Sequence, residues 1–466
     1  MRTFSILLIS LLSSITLIAQ DITGQWNGVL KVQGTQLRLV FNVTKTDKGV
    51  SSTMDSPDQG AKGIPTTTTS FENSILTITI ENARIVYLGA LGKDNIIVGT
   101  FKQAGQSFAM NLSKEVIEKE KLVRPQEPIK PYPYYSEDVT FENSKARINL
   151  SGTLTLPKKD GVFPVAILIS GSGPQNRDEE LLGHKPFLVL SDYLTKNGIA
   201  VLRYDDRGTA LSQGDFKNGT SADFATDVES AIEYLKTRKE INKNKIGLIG
   251  HSEGGLIAPM VASKSKNVAF IVLLAGTGIQ GDQILLLQQK LIGKASGVSE
   301  EDLQKTELTN RKVFEIVNKS NSMEQLNIDL TNFIKQSLVD NPNAGKPQGM
   351  SDDDFVKLQV KQIANPWMQY FIKYNPGPAL EKVKCPVLAI NGEKDLQVPP
   401  KENLEAIKKA LEKAGNKKVT IKELTNLNHL FQECKTGSPD EYATIEQTFS
   451  PTALTEILKW VQTQTK

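Results

Sequence analysis

Five short apolar runs, VAILIS, AVLRYD, KIGLIG, FIVLLAG and VLAING, recur along the later part of this chain with helical stretches such as ATDVESAIEYLKTR between them. A strand that is apolar at nearly every position must be covered on both faces. A parallel sheet sandwiched between helices provides that cover. The fold class expected is therefore α/β. Between FIVLLAG and VLAING about a hundred residues of amphipathic helix intervene, with Ser299/Asp302 and Ser351/Asp354 at capping-box spacing. That insertion, about residues 279–378, reads as a helical cap on the sheet.

With 466 residues the chain exceeds what one core usually organises. The segments TGQWNGVLKV, TQLRLVFNVT, ILTITIENARIVYLGAL, NIIVGTFKQ and SFAMNLSK alternate apolar and polar residues between turn formers. They define a small antiparallel β domain over 20–115, expected to be barrel-like, with Trp26 read as a core residue. A charged and proline-rich stretch, 116–135, reads as a stiff linker, and 136–466 is the α/β domain, opening on the β-hairpin EDVTFENSKARINLSGTLTLP. Residues 1–19, with Arg2 before an apolar run ending at Ala19, have the pattern of a cleaved signal peptide; the run is short for a membrane span. A periplasmic or secreted location follows as the expectation, with no membrane span after cleavage. A net charge of +3 without a dense basic tract gives no reason to expect a nucleic-acid partner. Cys385 opens one strand and Cys434 follows the end of the next, so two free thiols are expected rather than a bridge.

The run KIGLIG leads straight into His251-Ser252-Glu253-Gly254-Gly255, giving G-x-S-x-G around Ser252. That spacing lets a strand turn sharply into a helix with the serine exposed at the corner, although a plain tight connection can look the same. A nucleophilic serine needs a base, and there are three histidines. His251 adjoins the serine and points away, and His184 precedes a helix. His429 lies in a loop just beyond the last strand, VTIKEL, at the edge where parallel sheets collect ligands, so it is the expected base. Asp395, just past VLAIN, is the expected acid, with Glu393 the weaker candidate. The chain order Ser, Asp, His is the one seen in α/β-hydrolases. For oxyanion stabilisation the expected amides are those of Glu253 and Ser172, the latter in ILISGSGPQNRDE, with Gly173 a close second. In YDDRG the residues Asp205, Asp206 and Arg207 read as a buried charged pin beneath the serine.

Taken together, SGSGPQNRDE, RYDDRG, GHSEGG, NGEKDLQVPP and LNHLFQ resemble the serine α/β-hydrolase superfamily. More narrowly the chain is similar to exported bacterial esterases carrying an extra N-terminal β domain. The resemblance covers about 136–466 and implies an α/β-hydrolase sheet with Ser252, Asp395 and His429 as catalytic triad and Ser172 and Glu253 as oxyanion donors. At TALSQGDF the chain departs from the glycine and small-residue turn that more often follow the Arg-Gly pair, so the resemblance does not set the shape of this loop or of the pocket wall it forms.

The function expected is a carboxylic ester hydrolase working through an acyl-enzyme, without cofactor or metal, on a small-molecule or glycan-linked ester. An exported serine aminopeptidase of the same fold is the alternative, its substrate amine held by cap carboxylates such as Glu300 to Asp302 or Asp352 to Asp354. A third reading makes the chain a non-catalytic carbohydrate- or envelope-binding protein on a hydrolase scaffold. Trp367, Tyr370, Phe371 and Tyr374 share one helical face. They form either packed core or an aromatic wall over Ser252, and Trp367 and Phe371 are candidate substrate-binding residues.

Overall fold

A computed structural model describes residues 21–32, 35–47, 49–103, 106–118, 123–340, 346 and 350–466. The segment read as a signal peptide lies outside these. The chain divides into two compact units near residue 120.

Among the described residues the first unit holds nine strands. β1 (Gly24–Val32), β2 (Thr35–Thr46), β3 (Gly49–Ser56) and β4 (Ala61–Pro65) form one antiparallel sheet. β5 (Thr68–Glu72), β6 (Ile75–Ile80), β7 (Ile85–Leu91), β8 (Ile97–Gln103) and β9 (Gln106–Ala109) form the other. The strict alternation read in the sequence is realised in β7, where Ile85, Tyr87 and Leu91 face a core shared with Trp26, Phe41, Ile78 and Phe101. The sheets approach each other twice, β3 beside β5 and β1 beside β9. The segment FENS from Phe71 ends β5 in a tight hairpin, with Asn73 and Ser74 at positive φ. Trp26 is buried and its indole donates to the carbonyl of Ile22 at 2.7 Å.

The second unit contains β10 (Tyr135–Asn143), β11 (Ile148–Leu156), β12 (Phe163–Ile169), α1 (Pro186–Lys196), β13 (Ala200–Tyr204), α2 (Ser221–Thr237), β14 (Ile241–His251), α3 (Glu253–Ala262) and β15 (Phe270–Leu274). Then follow α4 (Gly281–Ala295), α5 (Glu300–Lys319), α6 (Met323–Asp340), α7 (Asp352–Ile363), α8 (Pro366–Lys373) and α9 (Gly377–Leu380). The chain closes with β16 (Val387–Gly392), α10 (Pro400–Lys413), β17 (Val419–Leu424) and α11 (Pro451–Thr465). All eight strands form one sheet in the order β10-β11-β13-β12-β14-β15-β16-β17. β11 runs antiparallel to both neighbours, and from β13 onward every pairing is parallel.

β12, β13, β15 and β16 are buried along most or all of their length, as their unbroken apolar runs require. α1 and α11 pack together on one face, whereas α2, α3, α9 and α10 pack in succession on the other. α4 to α8 are inserted between β15 and β16 and have a separate core around Phe314, Val317, Leu326, Leu330 and Phe355. No helix of the described residues is long and apolar enough to cross a membrane.

The strand order fixes where a site can form. From β12 the chain crosses to β13 on one side, then returns past β12 to β14 on the other. Loops leaving the carboxyl ends of β12 and β14 therefore diverge and leave a crevice, the topological switch point of an open parallel sheet. The proline-rich stretch does not stand free as a stiff spacer. Arg124 donates to the carbonyls of Leu182, Gly183, Ala443 and Ile445, and Gln126 pairs with the backbone of Thr448 and Phe449, which holds this segment on the second unit.

Removing the largest buried side chain of the first unit tests that core. Trp26→Ala should lower its unfolding free energy by about 3–5 kcal/mol, read by urea denaturation followed by circular dichroism.

Candidate active site

Ser252 occupies the corner between β14 and α3 with φ 53° and ψ −113°, a strained conformation for a residue bearing a Cβ. Its amide donates to the Leu274 carbonyl at 2.8 Å, fixing the corner to the next strand. The glycines of the motif are needed for contact, since here helix and sheet touch backbone to backbone. A Cβ on Gly250 would overlap the carbonyl of Gly254, and one on Gly254 would overlap the carbonyl of Ile169 in β12. Gly255 lies against Gly276 in the same way.

The histidine and carboxylate arrive from two further carboxyl ends. Asp395 follows β16 and His429 follows β17, and His429 Nδ1 lies 2.8 Å from Asp395 Oδ2. Asp395 Oδ1 accepts the amides of Gln397 and Val398, each at 2.8 Å. Both carboxylate oxygens are thus engaged, and a carboxylate only accepts. The hydrogen of the imidazole is therefore held on Nδ1, which leaves Nε2 as the basic nitrogen. Glu393 is exposed and accepts the Asn426 amide instead. His184 is buried with its nitrogens bonded to Thr448, the Tyr442 carbonyl and Gln432. Burial depresses its pKa to about 4, so it stays neutral and structural.

The residue beside the serine connects these loops. His251 Nε2 bonds the backbone carbonyl of His429 at 3.0 Å, and the two rings lie 4.8 Å apart between centroids. Ser252 is therefore one residue from a side chain that holds the His429 loop. Among the described residues no hydrogen bond joins Ser252 Oγ to His429, a contact that often tightens only when substrate is bound.

The loop after β12 supplies amides. That of Gly171 is committed to Glu179 Oε1 at 2.7 Å, whereas Ser172 is exposed and Gly173 adopts φ 91°. Glu253 opens α3, so its amide belongs to the first turn, where backbone N–H groups have no intrahelical partner. The Glu253 side chain is buried, accepting from Ser221 Oγ at 2.6 Å and from the cap's Trp367 Nε1 at 2.8 Å. Burial pushes its carboxyl up, and these donors offset only part of that.

Trp367 and Phe371 stack with centroids 5.1 Å apart. Phe371 is buried and packs with the α/β core, as do the half-buried Trp367, Tyr370 and Tyr374. Ile372 and Met368 face the cap's own core from the opposite side of α8.

In YDDRG all three charged residues are internally satisfied. Asp205 takes the Arg177 guanidinium at 2.7 Å, Arg207 pairs with Asp227 at 2.8 Å, and Asp206 accepts from Ser170 Oγ and the Gln175 amide. Burial raises Asp206 to about 8, with Glu253 and Glu179 adding to the shift and the Ser170 and Gln175 bonds opposing it. Glu179 and the side chain of Glu253 carried no role in the sequence reading beyond their motifs, and no spacing rule would have paired them with His251 and Trp367.

The strand order and the strand-to-helix corner at Ser252 define the α/β-hydrolase fold. Residues 228–432 match the family described as BAAT / Acyl-CoA thioester hydrolase C terminal, and residues 143–285 match the family described as Acyl transferase. Esterase EstD of Thermotoga maritima is 27% identical over 306 residues, covering 64% of this chain and 62% of the relative. The match thus spans less than two thirds of that esterase. Among solved structures, the α/β hydrolase GrgF of Penicillium sp. sh18 is 16% identical, with 71% of this chain and 99% of that one covered and a TM-score of 0.45. The Pyrococcus furiosus esterase PF2001 is 18% identical, with coverage of 75% and 100% and a TM-score of 0.43. Neither superposition is close enough to add to what the strand order already gives.

The raised Asp206 carboxyl has a stability consequence. Its folded pKa, about 8, lies above the usual 3.8. The native state therefore holds a proton that the unfolded chain releases, and the associated stability is lost as pH rises from about 4 to 8. Asp206→Asn, which cannot ionise, should gain Tm relative to wild type between pH 5 and pH 8.5, by about 2–4 °C per kcal/mol. Paired thermal scans across that range measure it.

Proposed function

We propose that the protein hydrolyses carboxylic esters by a serine mechanism through an acyl-enzyme. The observation that carries this reading is the His429–Asp395 pair, its tautomer held by a fully engaged carboxylate, beside a serine on a strained corner at the switch point. Similarity to the acyl-CoA thioester hydrolase family and to esterase EstD supports acyl chemistry at that serine.

In this mechanism His429 Nε2 takes the Ser252 proton as Oγ attacks the ester carbonyl. The amides of Glu253 and Ser172 receive the charge that develops on the carbonyl oxygen. His429, now protonated, delivers its proton to the leaving alcohol. Water then enters, gives a proton to His429 and attacks the acyl carbon, and the returning proton restores Ser252. No step requires a cofactor. The substrate is a small-molecule or glycan-linked ester, and the exported location is part of the same proposal, resting on the composition of residues 1–19.

Of the cap carboxylates that an aminopeptidase could use, Asp302 accepts from Ser299, Glu301 pairs with Lys305, Asp352 with Lys346 and Asp353 with Lys335. Trp367, half-buried and joined to the residue after the serine, is the proposed wall of the acyl site.

Ser252→Ala and His429→Gln should each lower p-nitrophenyl acetate turnover by more than about 10⁴-fold with the circular dichroism spectrum unchanged. A fluorophosphonate should label Ser252 in the wild type, as read by peptide mass spectrometry. A Ser252→Ala rate within about tenfold of wild type, in protein cleared of other esterases, is incompatible with the mechanism.

The two cap aromatics should separate by readout. Phe371→Ala should cost about 3–5 kcal/mol of stability and leave acyl-chain preference unaltered. Trp367→Phe should shift the preference between acetyl and octanoyl esters with a smaller stability loss. Tm and an acyl-chain series on both variants provide the check.

A further inference from the structure

Beneath the proposed triad lies a buried junction that the mechanism does not use. One oxygen, Glu179 Oε1, lies 2.7 Å from the Gly171 amide and 2.9 Å from His251 Nδ1. The other nitrogen of His251, Nε2, lies 3.0 Å from the backbone carbonyl of His429. Both side chains are buried. A carbonyl oxygen can only accept, so Nε2 must carry a hydrogen. The contact to Oε1 then contains a further proton, and an oxygen already receiving an amide N–H is best served as a carboxylate taking a second N–H. The geometry thus favours His251 as an imidazolium paired with a Glu179 carboxylate. Burial alone would favour the neutral ring, but Glu179, the His429 carbonyl and the more distant Asp395 outweigh it and raise the pKa of His251.

Each end of this junction belongs to a different part of the site. Gly171 is in the loop after β12 that supplies an oxyanion amide. His251 is the residue before Ser252. His429 is the base itself, held by its own carbonyl. We propose that Glu179 and His251 are positioning residues, a second histidine–carboxylate pair that keeps the oxyanion loop, the nucleophile and the base in register. The proposal rests on the serine-hydrolase reading above. The Gly171 amide, taken by Glu179, is withdrawn from the oxyanion, which leaves the next amide, that of Ser172, for that role.

Hydrogen-bond counting makes the proposal sharp. In Glu179→Gln the shape is kept and the charge is lost, so a buried His251 becomes neutral with one N–H. It can then serve residue 179 or the His429 carbonyl, but not both. If the new amide turns its NH₂ toward Nδ1, the Gly171 N–H loses its acceptor. Every arrangement breaks one of the three links. A misplacement of about 1 Å in a catalytic constellation costs on the order of a hundredfold.

The test uses p-nitrophenyl acetate kinetics, fluorophosphonate labelling of Ser252 and ¹⁵N NMR of the imidazoles, which three histidines keep simple. In Glu179→Gln, kcat should fall about ten- to a hundredfold with KM changed less than about threefold, and the labelling rate should fall in parallel. In wild type at neutral pH, His251 should show both nitrogens protonated, and this signature should vanish in the variant. A folded variant with kcat within about twofold of wild type, or with only a lowered Tm, overturns the proposal. So does a wild-type His251 with one unprotonated nitrogen, an outcome that stands even if the variant fails to fold. If wild-type Ser252 resists the fluorophosphonate, the serine reading fails and takes this inference with it. Labelled wild type with an unaffected Glu179→Gln variant removes this inference alone.

Discussion

The second unit depends on a place where helix and sheet meet without side chains between them. Gly250, Gly254 and Gly255 bring the start of α3 against the ends of β12 and β14 and the loop after β15, closer than any Cβ would permit. This contact turns the chain through the corner at Ser252 and keeps that residue at φ 53°. Strain of this kind, of order 1–3 kcal/mol, persists only where the surroundings over-determine it. Here they do, because α3 is buried along its whole length and the Ser252 amide is tied to β15.

Around that corner the structure buries charge and satisfies it locally. Arg177 with Asp205, Arg207 with Asp227, Arg203 with Asp178 and His251 with Glu179 each join segments distant in sequence. Such pairs add little net stability compared with apolar packing. Their effect is geometric, since removing one partner leaves a buried charge alone, so the loops leaving β12, β13 and β14 have few alternative arrangements. Burial above all drives the pKa of Asp206 up, with two neighbouring carboxyls adding to it and no cationic partner among the described residues.

The cap joins the same network through α8. α8 presents Ile372 and Met368 to the cap core and its aromatic face to the α/β core. Through Trp367 Nε1 it also bonds Glu253, the residue whose amide begins α3. The cap is thus fastened to the corner itself rather than only to the helices beside it.

Much of this was legible in the sequence because it follows from local pattern. The apolar runs of β12 to β16 require a doubly covered sheet, and the glycines flanking Ser252 announce a close-packed corner. Asp395 and His429 stand within a few residues of strand ends, where parallel sheets gather chemistry. The antiparallel β character of the first unit was legible from alternation in the stretches around Trp26 and Tyr87, but its division into two sheets was not, since β3, β4 and β5, rich in Ser, Thr and Gly, carry too few apolar residues to announce themselves. Tertiary structure alone decided the partners of the buried polar groups. Glu179 and His251 are 72 residues apart, and Glu253 and Trp367 are 114 apart. A hydrogen bond is set by distance and direction in space. Only the folding of β12, β14 and the cap against one another determines which carboxylate each ring nitrogen meets.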